Sequence, residues 1–157
     1  MTRLYGRAPR GERVLGTAPQ NYGPNVTLLG ALSCTGLEAV MTIEGATDAD
    51  VFRAYVREVL CPTLGAGDIV IADNLSAHKA AGVQEAIAAT GARLFYLPQY
   101  SPDLNPTEPC WSKIKAFLRA AKARTREALD TAVAAALATI TASDARAWFA
   151  HRGYVLH

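Results

Sequence analysis

The sequence has few cysteines, and their arrangement predicts neither structural zinc nor a disulfide framework. The chain contains three of them, Cys34, Cys61 and Cys110, with no Cys-x-x-Cys pair. An odd number of widely separated thiols cannot form a closed set of disulfides, and a zinc knuckle needs ligands at closer spacing. We therefore expect three small, buried or half-buried thiols.

Long apolar runs are absent as well. Apolar stretches are short and interrupted by Gly, Thr or charged residues, and the N-terminus has no apolar signal core. A membrane span needs about 20 apolar residues, so none is predicted, and we expect a cytoplasmic protein with no membrane partner. The sequence also lacks Gly-x-Ser-x-Gly, a Walker-type loop and Gly-x-Gly-x-x-Gly, which disfavours serine hydrolases, P-loop nucleoside triphosphatases and dinucleotide-binding proteins.

Acidic residues are missing from one stretch of an otherwise near-neutral chain. The 157 residues have a formal net charge of +2 and are 50% hydrophobic, which suits one globular domain with a core. Residues 109–126 contain six basic residues and no acid, and the first thirteen residues contain four arginines against Glu12 alone. Such clusters predict a polyanion as partner, although a solvated helix face and a loose N-terminal tail would also produce them.

The hydrophobic periodicity predicts alternating strands and helices after a Gly/Pro/Arg-rich loop over residues 1–25. Strands are predicted over residues 26–33 and 37–43, joined as an antiparallel hairpin, and over 68–72 and 93–97. Helices are predicted after an N-cap at Thr47, over 79–90, from about Asn105, over 126–140 and over 143–150. This order predicts an α/β sheet with helices on both sides.

Two acids occupy positions suited to chemistry. Asp73 directly follows the apolar run 69–72, and Glu108 lies 108 − 73 = 35 positions later at a helix start. Ligands gather at the carboxyl ends of strands, and two rigidly held carboxylates suit a pair of Mg²⁺ ions that cut or join phosphodiesters. An Asx-turn would also explain Asp73, and a capping box with Asn105 would explain Glu108. A capped helix start would still hold a metal ligand rigidly.

Two strings of residues carry a family resemblance. Residues 73–79 read Asp-Asn-Leu-Ser-Ala-His-Lys, and residues 97–111 read Leu-Pro-Gln-Tyr-Ser-Pro-Asp-Leu-Asn-Pro-Thr-Glu-Pro-Cys-Trp, followed by Lys-Ile-Lys at 113–115. Together with Arg-Leu-Tyr-Gly-Arg-Ala-Pro-Arg-Gly at 3–11, they resemble the catalytic domain of bacterial insertion-sequence transposases of the Tc/mariner superfamily. The resemblance covers nearly the whole chain.

The resemblance implies a ribonuclease-H-like mixed sheet flanked by helices and an Asp-Asp-Glu site that binds two Mg²⁺ or Mn²⁺ ions. Asp73 would be the second catalytic acid and Glu108 the third. In such enzymes the metals activate water to cleave the transposon ends and then activate the freed 3′-hydroxyl to attack target DNA. The implied partners are therefore the DNA of the transposon ends and of the target, with a second copy of the chain, because the family works as dimers.

The chain departs from the family pattern at its N-terminal side. The family's first acid lies on a central strand shortly before the segment resembling residues 3–11, and only Met1 and Thr2 precede that segment here. We therefore expect one catalytic domain over 1–157 that lacks the helix-turn-helix region and the first catalytic strand. A missing central strand predicts an open apolar seam, marginal stability, association, and a complementing N-terminal fragment as an alternative partner.

Three functional hypotheses follow. The first is a transposase catalytic domain, and the second is an inactive fragment that binds DNA or regulates the full transposase. An unrelated α/β binding protein with chance matches is a third. Candidates for DNA phosphate contacts lie after Asp73, near Glu108 and in the N-terminal loop: His78, Lys79, Lys113, Lys115, Arg119, Arg7 and Arg10. His78 and Lys79 would act at the N-terminus of the predicted helix 79–90, although both would also suit an ordinary surface.

Overall fold

A computed structural model describes residues 5–16 and 24–155 of the chain. These residues form a mixed α/β fold with four strands and five α-helices. The strands are β1 (Val26–Ser33), β2 (Gly36–Glu44), β3 (Ile69–Ala72) and β4 (Arg93–Tyr96). The helices are α1 (Ala49–Tyr55), α2 (Val83–Ala89), α3 (Thr107–Ala121), α4 (Arg126–Ala138) and α5 (Ala142–His151). A π-helical turn, Val56–Leu60, extends α1, and short 3₁₀ turns span Cys61–Thr63, Ser76–Lys79 and Pro102–Leu104.

The first two strands form the predicted antiparallel hairpin and separate two cores. β1 pairs with β2 from Val26 opposite Glu44 to Ser33 opposite Gly36, with an irregularity beside Ala39, whose φ of 48° is left-handed. Side chains alternate across a strand. Leu29 and Met41 therefore face a first core, which they form with α1 and α2. Leu28, Leu32 and Leu37 face a second core, which they form with α3 and α4.

The second pair of strands is covered on one face only. β3 and β4 are parallel, with α2 as their connection, and Ile71 lies opposite Phe95. Val70 and Leu94 pack on the first core, against Val83 and other residues of that cluster. On the opposite face Ile71 and Phe95 are exposed, Phe95 by 50%. Among residues 5–16 and 24–155, nothing buries this apolar face of the sheet.

The described residues form two separate two-stranded sheets, the hairpin and the parallel pair, so a ribonuclease-H-like sheet that lacks its central strand stays a prediction. Strands of both sheets pack against the first core, but within the described residues no backbone ladder joins the two sheets. A continuous sheet needs neighbouring strands about 4.8 Å apart, and hydrophobic packing on a common helical layer does not impose that spacing. All four strand positions were nevertheless predicted to within one or two residues.

Two predicted helix starts were wrong. The cap of α1 is Asp48 rather than Thr47, and its Oδ1 accepts a 2.8 Å hydrogen bond from the Val51 amide. Residues 76–79 form a 3₁₀ turn, and α2 starts only at Val83. Gly82 has a φ of 86°, which a continuous right-handed helix cannot contain.

The C-terminal helices agree with their predicted positions and close the second core. Ile114 and Ala136 are buried between α3 and α4, and Cys110 is completely buried with them. Burial raises the pKa of the Cys110 thiol to about 11, so it stays protonated, and Cys34 and Cys61 are half-buried free thiols as expected. No described helix combines the length and apolar character needed to cross a membrane.

Candidate functional site

Asp73 lies at the carboxyl end of β3, in the first residue after the strand. Its Oδ1 accepts a 3.2 Å hydrogen bond from the Leu75 amide, so the Asx-turn considered for this residue is present. The side chain is still 41% exposed. The turn therefore orients the carboxylate without consuming all of its oxygen lone pairs.

His78 is a second contact of the Asp73 carboxylate. Its Nδ1 lies 2.6 Å from Asp73 Oδ1 and 3.3 Å from the Asp73 carbonyl oxygen. The imidazole stacks at 4.3 Å from the ring of Phe52, and the Tyr96 hydroxyl donates a 2.8 Å hydrogen bond to the His78 carbonyl. Only 18% of the His78 side chain is exposed. Its principal contact in the fold is thus the acid, although it was predicted to contact phosphate.

Glu108 is the second residue of α3 and is exposed. The N-cap of α3 is Pro106 rather than the predicted Asn105, and no described side chain caps the helix. Asn105, one residue earlier, supports the helix start, since its Oδ1 accepts hydrogen bonds from the amide and the hydroxyl of Thr107 at 3.0 and 2.7 Å. The reciprocal bond of a capping box does not occur among the described residues. The capping box considered for Glu108 is therefore not formed, and its exposed carboxylate stays available to a ligand.

The structure brings the two acids to one cavity of about 350 Å³. Asp73 lines one end from β3, and Glu108 lines it from α3. The remaining walls come from residues 74–75, 97–102 and 105. The cavity opens beside the carboxyl ends of β3 and β4, where α/β folds generally bind ligands.

The oxygen atoms at this cavity suit a hard divalent cation. Besides the two carboxylates, Asn74 contributes an amide Oδ1 that is buried and lacks a hydrogen-bond partner within the described chain. Carboxylate and amide oxygens are ligands of Mg²⁺, and Mn²⁺ accepts the same set. Across residues 5–16 and 24–155, however, no three His, Cys, Asp or Glu side chains converge as a ready-made metal cluster.

Lys115 and Arg119 are exposed on α3. They follow Glu108 at intervals of seven and four residues, which places all three on one helix face. Lys113 lies elsewhere on the helix. Its Nζ donates 2.8 Å hydrogen bonds to the Thr139 carbonyl and to Asp144 Oδ2, so its charge is engaged within the fold.

The other predicted DNA contacts lie apart from the two acids. Lys79 is exposed, its Nζ lies 5.8 Å from the centre of the Tyr96 ring, and it lines a separate cavity of about 190 Å³. Because α2 does not begin at Lys79, the expected phosphate site at a helix N-terminus is not formed by this residue. Arg7 and Arg10 are exposed in an irregular loop.

Sequence reasoning missed Tyr100 and Asn74 as cavity residues. Tyr100 is 98% exposed and has a φ of 57°, an unusual conformation for a bulky residue. It lines the cavity between the two acids. Neither position carried a periodic pattern, and the only available indication was adjacency to Asp73 and to the Ser-Pro-Asp turn.

Comparison with known proteins identifies a family for the chain. Residues 1–130 match the family described as DDE superfamily endonuclease. The Transposable element Tcb2 transposase of Caenorhabditis briggsae is 26% identical over 105 residues, which cover 64% of this chain and 38% of that protein. The chain thus spans well under two thirds of that relative.

Solved structures share the fold at low identity. The pre-cleavage Mos1 transpososome matches 100% of this chain and 53% of its own chain, with a TM-score of 0.73 at 13% identity. The Mos1 mariner paired end complex with Mn matches 97% of this chain and 47% of its own, with a TM-score of 0.64 at 15% identity.

These matches confirm the resemblance to Tc/mariner-type transposases, while bacterial origin and truncation stay predictions. The family match covers most of the chain, including Asp73 and Glu108. The fold likeness extends over the full length of the chain. The chain therefore belongs to the DDE superfamily endonuclease family.

Proposed function

We propose that this chain is a transposase catalytic domain that cleaves DNA and joins the freed end to target DNA. One observation carries the proposal: Asp73 and Glu108, from different elements, line one cavity at the carboxyl end of a parallel strand pair. Membership of the DDE superfamily endonuclease family and similarity to the Tcb2 transposase support it. A cytoplasmic location remains part of this proposal.

Asp73 and Glu108 would hold the divalent ions, with the Asn74 amide oxygen as a further donor. Two bound Mg²⁺ or Mn²⁺ ions would supply Lewis acidity for the attacking and leaving oxygens of phosphodiester transfer. Asp73 is oriented for this by the Leu75 amide and by His78. Glu108 is presented by the first turn of α3, which the Asn105 side chain supports through Thr107.

The basic face of α3 would bind the DNA backbone. Lys115 and Arg119 continue the line of Glu108 over about 16 Å of helix, at a rise of about 1.5 Å per residue. Ammonium and guanidinium groups on that line would contact phosphates and place the scissile bond at the acids. The DNA would be the transposon ends and the target, since the matched Mos1 structures are a transpososome and a paired end complex.

A strand between the two sheets would complete a ribonuclease-H-like sheet and bring the first acid of the Asp-Asp-Glu set. The shared core of the two sheets and the absence of a ladder between them in the described chain support this part of the proposal. The strand would come from a complementing N-terminal segment, and the complete protein would act as a homodimer. The domain assignment of residues 1–157 rests on the same proposal.

The test is metal-dependent nicking of supercoiled DNA by the chain, alone and with a supplied N-terminal segment that contains the missing strand. Asp73→Asn and Glu108→Gln should each abolish nicking, because each removes one ligand charge. Asp130→Asn and Glu127→Gln on exposed positions of α4 are matched controls and should retain it. Nicking that persists in both site variants would contradict the proposal.

A non-enzymatic DNA-binding or regulatory role is the second candidate. It is favoured by the lack of a third acid at the cavity in the described part of the chain. DNA binding that weakens steeply with salt, without nicking even when the N-terminal segment is supplied, would support this role.

A further inference from the structure

The C-terminal segment contacts the turn that precedes Glu108. Arg152 Nη1 donates a 3.1 Å hydrogen bond to the carbonyl of Asp103, and the Tyr154 hydroxyl donates a 2.9 Å bond to the carbonyl of Leu104. These contacts join positions 49 and 50 residues apart in the sequence. The two contacted carbonyls are adjacent in sequence and lie between Pro102 and Asn105, which both line the acid-lined cavity.

The contacted turn has little internal support. Within it, the Leu104 amide bonds to the Ser101 carbonyl at 3.2 Å, and the Asn105 amide bonds to the Pro102 carbonyl at 3.1 Å. Residues 103 and 104 are exposed, so few packing contacts hold them. Asn105 joins this turn to α3, because its amide bonds to the Pro102 carbonyl while its side chain accepts from the Thr107 amide, so a displaced turn would shift the helix start that carries Glu108.

The segment that makes these contacts is itself anchored. The Tyr154 amide bonds to the Phe149 carbonyl at 3.1 Å, and the two rings meet edge to face at 5.6 Å. Burial raises the pKa of the Tyr154 phenol, so the hydroxyl remains a donor. The other end of α5 is tied to α3 by the 2.8 Å contact of Lys113 with Asp144. The start of α5 thus contacts α3, and the residues that follow α5 contact the turn that precedes α3.

We propose that Arg152 and Tyr154 are positioning residues that hold the turn Pro102–Leu104 and thereby place the Glu108 carboxylate in the cavity. Neither side chain lines the cavity, so each acts through the turn. The consequence for catalysis rests on the proposed function, whereas the mechanical coupling does not. Loss of either bond frees one carbonyl and lets the turn sample other conformations.

The test uses Tyr154→Phe, Arg152→Gln and their double variant in the full chain. Tyr55→Phe is the matched tyrosine control, because the buried Tyr55 hydroxyl has no hydrogen-bond partner within the described chain. Arg126→Gln is the matched arginine control, since it removes ion pairs with Glu44 and Asp130 only. Arg152→Lys keeps a cationic donor and should partly restore the contact with the Asp103 carbonyl.

The first readout is hydrogen exchange at the amides of Leu104, Asn105 and Glu108. We expect about fivefold faster exchange in each single variant, the change that one lost hydrogen bond makes, and more in the double variant. The amides of the buried core should keep their rates. Unchanged exchange at the turn, or an equal increase throughout the core, would overturn the proposal.

The second readout is the dissociation constant for Mn²⁺, with Glu108→Gln as reference. We expect the Tyr154 and Arg152 variants to weaken Mn²⁺ binding in the same direction as Glu108→Gln, with no change in either control. If Glu108→Gln leaves Mn²⁺ binding unchanged, the proposed function fails and the exchange data alone decide on the coupling. If Glu108→Gln weakens Mn²⁺ binding and the Tyr154 and Arg152 variants do not, the proposal that these two residues place the Glu108 carboxylate is wrong, while the proposed function stands.

Discussion

His78 Nδ1 lies 2.6 Å from Asp73 Oδ1, and the same imidazole stacks on Phe52 at 4.3 Å. The acid at the end of β3 is therefore oriented by a ring that is itself packed against the first core. Groups that hydrogen-bond to a metal ligand commonly change metal affinity by about 10- to 100-fold when removed.

His78→Phe should keep the stacking and remove the contact to Asp73. We expect Mn²⁺ binding to weaken by about 10-fold or more. Calorimetric titration with Mn²⁺ measures this, and Lys79→Gln is the control, because Lys79 lines a different cavity. An unchanged dissociation constant for His78→Phe would show that the contact does not orient a ligand.

Substitutions of Lys115 and Lys113 should have different effects on DNA binding, because the two side chains lie on different faces of α3. Lys115→Glu should weaken binding to all DNA sequences alike and lower the magnitude of the salt slope by about one, the effect of one lost phosphate contact. Lys113→Met should leave the slope unchanged and destabilise the fold, since Lys113 bonds to Asp144 and to the Thr139 carbonyl. A changed sequence preference for Lys115→Glu would contradict a phosphate contact. Binding is measured by fluorescence anisotropy over a range of salt concentrations.

The Lys113–Asp144 pair predicts a pH dependence of stability. The hydrogen bond from Lys113, followed by bonds from Thr141, lowers the pKa of Asp144 from 3.8 to about 2. A lowered folded-state pKa contributes stability that is present above pH 3.8 and is lost as the pH falls towards 2. Thermal melts between pH 7 and 2 should show this loss, and Asp144→Asn should flatten it. An identical pH profile for both proteins would exclude the contribution.

Tyr100 should tolerate glycine without loss of stability. Its φ of 57° is strained for a bulky residue, and its side chain is 98% exposed, so little burial is lost on truncation. Relief of such strain stabilises the folded state by about 1 kcal/mol. This gain offsets the destabilisation that glycine causes by raising the conformational entropy of the unfolded chain. We expect Tyr100→Gly to unfold at the same or a slightly higher urea concentration. Tyr55→Gly, at a buried helical site, should destabilise strongly.

The uncovered face of β3 and β4 should promote association. Ile71 and Phe95 are exposed side by side there. Apolar patches of this kind mark interaction sites or aggregation. Phe95→Lys should therefore lower the weight-average mass seen in sedimentation velocity at equal concentration. A chain that is monomeric before and after the substitution would contradict the expected association.

Short-range patterns predicted the strands well and the helix starts less well. The apolar run before Asp73 and the alternating run before Cys34 gave strands close to their observed bounds, because side-chain periodicity reports local burial. The start of α2 was misplaced because a left-handed glycine, Gly82, interrupts an otherwise helical pattern. Glycine adopts both hands of helical backbone, so its conformation depends on its neighbours in space.

The sequence alone determined which chemical groups are available: two acids at element ends, a basic stretch and the Ser-Pro-Asp-Leu-Asn-Pro string. Only the tertiary structure decided which of them meet. It placed Asp73 and Glu108 at one cavity, turned Lys113 towards Asp144 and brought Tyr154 to the turn before Glu108. The reason is physical. Local periodicity specifies which face of a helix or strand is apolar, whereas contacts between residues 31 or 50 positions apart depend on how those faces pack together.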